Sequence, residues 1–144
     1  MDLAEARKTF REARVAHVGT NLPTGQPHVV PLWFVWLEDA IYASARDDSR
    51  VRRNVAVDPR VAVQIDIGRA WTEQAGVLVS GTAEVLSPDH PSAKHALSAW
   101  FAKYRDELAG RGFGAYTEQV RRPVLLRVLP DRFSTWIHAM GAGR

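Results

Sequence analysis

The stretch that decides the fold is residues 27–37, Pro27-His28-Val29-Val30-Pro31-Leu32-Trp33-Phe34-Val35-Trp36-Leu37. Apolar side chains occupy both alternating sets of positions, which predicts a strand with both faces covered. A barrel interior can cover one face, and a partner subunit or a flat ligand can cover the other. Pro31 has no N–H to donate to a ladder, so it marks an edge or a bulge where something other than backbone approaches.

Two further strands lie close to this one in the chain. Residues 15–20 alternate as a strand, and residues 21–26 contain the proline and glycine typical of a hairpin loop. Residues 41–45 form the next strand after a tight turn at 38–40. A parallel connection needs about a dozen residues or more, so these three strands are predicted to be antiparallel.

The rest of the chain completes an α+β pattern. A first helix begins after Asp2, strands are predicted at 60–67 and 75–86, and one strand or hairpin follows at 124–137. The longest helix begins at Pro91, where apolar residues repeat at helical spacing. They are Ala93, Ala96, Leu97, Trp100, Phe101, Tyr104 and Leu108. We predict one domain, residues 1–144, built as a mostly antiparallel Greek-key barrel of six to seven strands with flanking helices.

Composition excludes several classes of function. Of the 144 residues, 46% are hydrophobic and 24% are charged, which is typical of a globular domain. The absence of cysteine excludes disulfides, thiolate metal sites and a cysteine nucleophile. The net charge is only +3 and most arginines are scattered, which disfavours nucleic acid as a partner. No leader-like segment or long apolar run is present, so we predict a cytoplasmic protein without a membrane partner.

The densest group of basic residues follows the strand at 41–45. It reads Arg46-Asp47-Asp48-Ser49-Arg50-Val51-Arg52-Arg53-Asn54-Val55-Ala56-Val57-Asp58-Pro59-Arg60. Asp48 or Ser49 is suited to cap a short helix there. A helix start attracts anions, and Arg50 and Arg53 are three residues apart on one face. A phosphate or carboxylate site is one interpretation, and a solvated face that keeps the protein soluble is the other.

The histidines and tryptophans have no spacing that identifies a catalytic centre. The five histidines (17, 28, 90, 95 and 138) form no known metal motif, so no metal site is predicted. His28 lies on the doubly apolar strand and can donate to a ligand oxygen, with a backbone carbonyl as the alternative acceptor. Trp33 and Trp36 differ in strand parity, so at least one is expected to face an interface or an aromatic ligand. Trp100 is assigned to the core.

Several short motifs occur in a fixed order along nearly the whole chain. They are residues 14–20 (Arg-Val-Ala-His-Val-Gly-Thr), 25–34 (Gly-Gln-Pro-His-Val-Val-Pro-Leu-Trp-Phe), 41–44 (Ile-Tyr-Ala-Ser), 49–54 (Ser-Arg to Arg-Asn) and 58–61 (Asp-Pro-Arg-Val). This set resembles the pyridoxamine 5′-phosphate oxidase-like family of split β-barrel flavoproteins. It is most similar to the branch of that family that depends on the deazaflavin coenzyme F-420.

The resemblance implies a homodimer with two cofactor sites at the subunit interface, each binding FMN or the deazaflavin coenzyme F-420. It implies that one set of residues holds the phosphate: Ser49, Arg50, Arg53 and Asn54. A second set would lie along the flat ring: His28, Val30, Pro31, Leu32, Trp33, Ala43 and Ser44. Close relatives often carry a lysine where this chain has Val51, so Arg50 or Arg52 would supply that charge.

Three functions follow as hypotheses. The first is an oxidoreductase that passes hydride between deazaflavin or FMN and a small unsaturated substrate, with the chemistry supplied by the cofactor and no catalytic side chain assigned. The second is a non-catalytic protein that binds or stores flavin, deazaflavin or haem. Haem would need an axial ligand, for which His17, His28 and His138 are the candidates on strands. The third is a nucleic-acid binder using residues 46–60, which predicts a steep salt dependence.

Overall fold

The structure is a computed structural model that describes residues 1–109 and 123–138. The helices are α1 (Leu3–Phe10), α2 (Arg50–Val57), α3 (Pro91–Lys103) and α4 (Arg105–Ala109), with a 3₁₀ turn at Trp71–Glu73. The strands are β1 (Ala16–Asn21), β2 (Pro27–Leu32), β3 (Phe34–Trp36), β4 (Ile41–Arg46), β5 (Arg60–Ile67), β6 (Ala75–Leu86) and β7 (Pro123–Ile137).

The seven strands form one antiparallel sheet in the order β2-β1-β5-β6-β7-β4-β3. β2 and β3 lie at opposite ends of this order, although only Trp33 separates them in the chain. The sheet must therefore curl until its two edges meet. β2 contacts β4 there but does not pair with it, which leaves a split in the barrel wall. The predicted antiparallel barrel with flanking helices is confirmed, with seven strands.

The sequence predicted one strand over residues 27–37, whereas the chain forms two strands that are interrupted at Trp33. The carbonyl of Trp33 accepts hydrogen bonds from the Ser44 amide at 2.9 Å and from the Ser44 hydroxyl at 3.3 Å. At this point the chain stops pairing with β1 and begins to pair with β4. We refer to residues 33–34 as the crossing.

Residues 123–137 form a single long strand, the first of the two predicted alternatives. β7 pairs with β6 along almost its whole length, and the register shifts between Ser80 and Gly81. A glycine suits such an irregularity, where the ladder is interrupted and the strand bends. Pro130 lies opposite Gly81, where the shift removes the need for a regular ladder donor.

Two apolar clusters fill the structure. The first lies inside the barrel and includes Phe10 of α1, a helix that Asp2 caps as predicted. The second lies between the outside of β4 and β7 and helix α3, and it contains Trp100, which is confirmed as core. No helix among the described residues is long and apolar enough to span a bilayer.

Candidate functional site

Helix α2 begins immediately after β4, so its start lies at one end of the barrel wall. Ser49 is the cap, because its hydroxyl accepts from the Arg52 amide at 3.3 Å and donates to the Arg46 carbonyl at 2.6 Å. The backbone of residues 46–49 is thereby fixed as a tight turn. Ser49 takes the Arg52 amide, so the Arg50 and Val51 N–H groups of the first turn are the ones left for an anion.

The arginines around this turn differ in how far they are neutralised. Arg46 binds the Asp48 carboxylate through two nitrogens at 3.0 and 2.9 Å, and Arg52 binds Asp47 at 3.1 Å. Arg53 is exposed, and its one acceptor in the described part of the chain is the backbone carbonyl of Asp48, at 3.0 Å. Arg50 is exposed and makes no hydrogen bond or ion pair with residues 1–109 or 123–138. Arg50 and Arg53 therefore keep their charge available for an anion.

Val51 occupies the position at which the resemblance implies a lysine. Its side chain is 2% exposed and packs in the barrel core. A charge at this position would have to leave the core to reach the turn. Of the two replacements considered, Arg52 is engaged by Asp47, so Arg50 is the better candidate.

The strand assigned to the cofactor ring presents two different sides. Val30 and Leu32 lie opposite Val18 and Ala16 of β1 and pack, half-buried, against the core. Pro31 faces the other way and is exposed. Next to this strand, the wall is open between β2 and β4 except where Ser44 bonds the Trp33 carbonyl. A flat group can lie against this edge without breaking a ladder.

Three of the residues expected to contact the cofactor pack instead against the protein itself. Ala43 is fully buried and lies in the ladder between Phe34 and Leu126. Asn54 is 1% exposed; its amide donates to the Thr20 hydroxyl at 3.0 Å, and its Oδ1 has no partner among the described residues. Trp33 points away from the barrel interior, but its ring packs on the chain's own α3 side, at 4.3 Å from the Tyr104 ring.

His28 lies near the start of β2, opposite Thr20, and its buried Nδ1 has no hydrogen-bond partner among the described residues. Next to it is a groove of about 390 Å³ with Arg60 at its edge. Arg60 binds Asp58 through two nitrogens at 3.0 and 2.8 Å, and these bonds hold the pKa of the Asp58 carboxyl well below its usual range. The charge of Arg60 is thus satisfied locally. Among the described residues no group of three His, Asp or Glu side chains is arranged to hold a metal ion.

Sequence reasoning missed the role of Lys103 and Tyr104, where α3 ends. The Lys103 ammonium donates to the Phe34 carbonyl at 3.0 Å and lies 3.7 Å from the centre of the Phe34 ring. Burial lowers the pKa of Lys103 to about 8. Helical periodicity predicts only that Tyr104 lies on the apolar face of α3, and it gives Lys103 no contact. The signal available was the Tyr104 hydroxyl, since a buried hydroxyl needs a hydrogen-bond partner.

The two parts of the site are connected through β4. Ser44 holds the crossing, and two residues later Arg46 begins the turn that Ser49 caps. Free cationic groups at one end and an exposed apolar edge at the other fit a flat cofactor that carries a phosphate. Arginine suits the phosphate because its planar group donates two parallel hydrogen bonds.

Comparison with known families identifies this arrangement. The profile described as pyridoxamine 5′-phosphate oxidase matches residues 3–137. The chain belongs to this family. The resemblance noted from the sequence motifs is thereby confirmed, and the pyridoxamine 5′-phosphate oxidase fold is one that binds flavins. A search of curated proteins finds no match.

Solved structures share the fold at low sequence identity. A conserved hypothetical protein from Mycobacterium tuberculosis is 24% identical, with a TM-score of 0.77 over 100% of this chain and 93% of that one. An F-420 reductase is 22% identical, with a TM-score of 0.67 over 88% and 94%. HutZ, a haem storage protein from Vibrio cholerae, is 18% identical, with a TM-score of 0.72 over 95% of both chains. At these identities the likeness concerns the fold alone.

Proposed function

We propose that this protein is an oxidoreductase that uses the deazaflavin coenzyme F-420 or FMN to transfer hydride to or from a small unsaturated substrate. The observation that carries the proposal is the pair of unneutralised arginines, Arg50 and Arg53, at the start of α2. They follow β4, the strand whose Ser44 bonds the Trp33 carbonyl beside the open part of the barrel wall. Membership of a flavin-binding family and the shared fold of an F-420 reductase support it.

The chain's own residues have distinct tasks in this proposal. Arg50, Arg53 and the N–H groups that follow Ser49 bind the phosphate and orient the cofactor. Val30 and Leu32 anchor β2 on the core, so that its open edge and the exposed Pro31 lie against the ring and keep water from it. The Ser44 contact fixes the neighbouring edge. When bound, the cofactor supplies the hydride chemistry. No side chain is assigned a proton to move.

We further propose that the protein works as a homodimer. The outer face of the sheet exposes apolar side chains, with Val29 64% and Leu78 39% exposed. Both belong to strands whose other face lines the core. A second copy is a suitable cover for such a face, and sedimentation at micromolar concentration measures the assembled mass directly.

The cytoplasmic location stays a prediction.

Turnover separates the oxidoreductase from a protein that only binds or stores its ligand. The purified protein is supplied with an excess of reduced F-420 or reduced FMN and a quinone or nitroaromatic acceptor, and reoxidation is followed optically. We expect many cofactor equivalents to be oxidised per chain, faster than in a protein-free control. Oxidation of no more than one equivalent per chain would assign the protein to the binding and storage class.

The storage class includes haem, since HutZ shares the fold. A haem titration in the same buffers tests this alternative. A sharp Soret band that is lost in His28→Ala would favour haem. His28 is the residue to replace because its Nδ1 has no hydrogen-bond partner among the described residues. We expect no such band.

A further inference from the structure

The crossing is the point at which the chain passes from one side of the split wall to the other. Trp33 belongs to neither strand, and its carbonyl is taken by Ser44 of β4. Phe34 then begins β3 opposite Ala43. The separation between β2 and β4 along the open wall therefore depends on how these two residues are held.

The Tyr104 hydroxyl meets both backbone groups of Phe34. It accepts from the Phe34 amide at 2.9 Å and lies 3.0 Å from the Phe34 carbonyl and 2.8 Å from the Arg14 carbonyl. A tyrosine hydroxyl has a single proton to donate. Lys103 already donates to the Phe34 carbonyl. The hydroxyl proton is therefore assigned to the Arg14 carbonyl, and all three backbone groups are satisfied.

The ring of the same tyrosine holds the other residue of the crossing. Trp33 and Tyr104 are stacked, with ring centroids 4.3 Å apart and planes 11° from parallel. Tyr104 is fully buried, and Trp100 of α3 packs beside both rings. One side chain thus fixes Trp33 through its ring and Phe34 through its hydroxyl.

We propose that Tyr104, assisted by Lys103, is a positioning residue that sets the geometry of the crossing and thereby the fit of the cofactor ring in the split wall. The inference rests on the proposed function, because it concerns the ring end of the same site. Tyr104 is not assigned a contact with the cofactor. It acts through Trp33 and Phe34.

Removing the hydroxyl alone tests this role. Tyr104→Phe keeps the stacked ring but leaves the buried Phe34 amide without its acceptor. Tyr42→Phe is the matched control. Tyr42 is also buried, but its hydroxyl donates to Asp39 at 2.8 Å and not to residues 33–34. We expect Tyr104→Phe to weaken FMN or F-420 binding roughly tenfold and to move the absorption bands of the bound cofactor toward those of the free one. We expect Tyr42→Phe to change affinity less than about twofold, with the wild-type spectrum.

A second pair of variants covers the case in which Tyr104→Phe does not fold. Lys103→Met keeps the side-chain stem and removes the donor to Phe34, while Lys94→Met removes an exposed charge from the same helix. The same contrast in affinity and spectrum is expected. The positioning role alone would be overturned if the wild-type protein binds the cofactor and Tyr104→Phe, or Lys103→Met, has the same affinity and spectrum as its control variant. A wild-type protein that binds neither cofactor would overturn the proposed function and the positioning role together.

Discussion

Replacing Arg53 with alanine is expected to weaken binding of a phosphate-bearing flavin or deazaflavin by about 1.5 to 3 kcal/mol, roughly 10- to 150-fold. Arg53 is exposed in the first turn of α2 and its described partner is a neutral carbonyl, that of Asp48. Its charge is therefore available to the phosphate. Arg46 and Arg52 are each paired with an aspartate, so they do not replace it.

Comparing FMN with riboflavin isolates the phosphate. Riboflavin has the same ring without the phosphate, so its weaker binding should be the same in the wild-type protein and in Arg53→Ala. Arg11→Ala removes an exposed arginine from the end of α1 and serves as the control for net charge. The phosphate would lie elsewhere if Arg53→Ala keeps the wild-type affinity for FMN, or if its affinity for riboflavin falls by the same factor as its affinity for FMN.

The substitution with the largest expected effect on stability is Gly81→Ala, at about 3 kcal/mol. A Cβ added at Gly81 would overlap the backbone carbonyl oxygen of Leu129 on the neighbouring strand. That oxygen cannot move without changing the register shift between β6 and β7. The bend that allows the sheet to curl would be strained.

Gly19→Ala is the matched control for this substitution. A Cβ there would lie 3.5 Å from the Ala62 carbonyl oxygen, an ordinary contact. Urea unfolding of both variants, followed by tryptophan fluorescence, gives the two free energies of unfolding. We expect Gly19→Ala to stay within about 1 kcal/mol of wild type. Equal losses in the two variants would show that the irregularity at Gly81 does not depend on a missing side chain.

Local signals predicted much of the fold. Asp2 identified the start of α1, and the pair Asp48 or Ser49, of which Ser49 is the cap, identified the start of α2, because a cap is a short-range contact. The antiparallel order of the early strands followed from the lengths of their connections. The interruption at Trp33 has no such signal, since it depends on Ser44, eleven residues away, and on Tyr104, seventy residues beyond the crossing.

For the candidate site, too, the sequence predicts local features but not burial. Arg50 and Arg53 are recognisable because their charge and spacing are local features of one helix. The burial of Ala43 and Asn54 was not, because it is set by which strands and helices cover them when the sheet curls. The neutralisation of Arg52 by Asp47 depends on side-chain geometry in the turn, which charge counting along the sequence does not resolve.

The central claim is that this chain binds a flavin-type cofactor, and direct titration tests it. Tryptophan fluorescence is followed while FMN or, separately, F-420 is added to the purified protein. We expect saturable quenching with one cofactor bound per chain. Tighter binding of F-420 would support a deazaflavin-dependent reductase, and tighter binding of FMN would support a flavin-dependent oxidase. Saturable binding of neither cofactor would contradict the claim, although the barrel fold would stand.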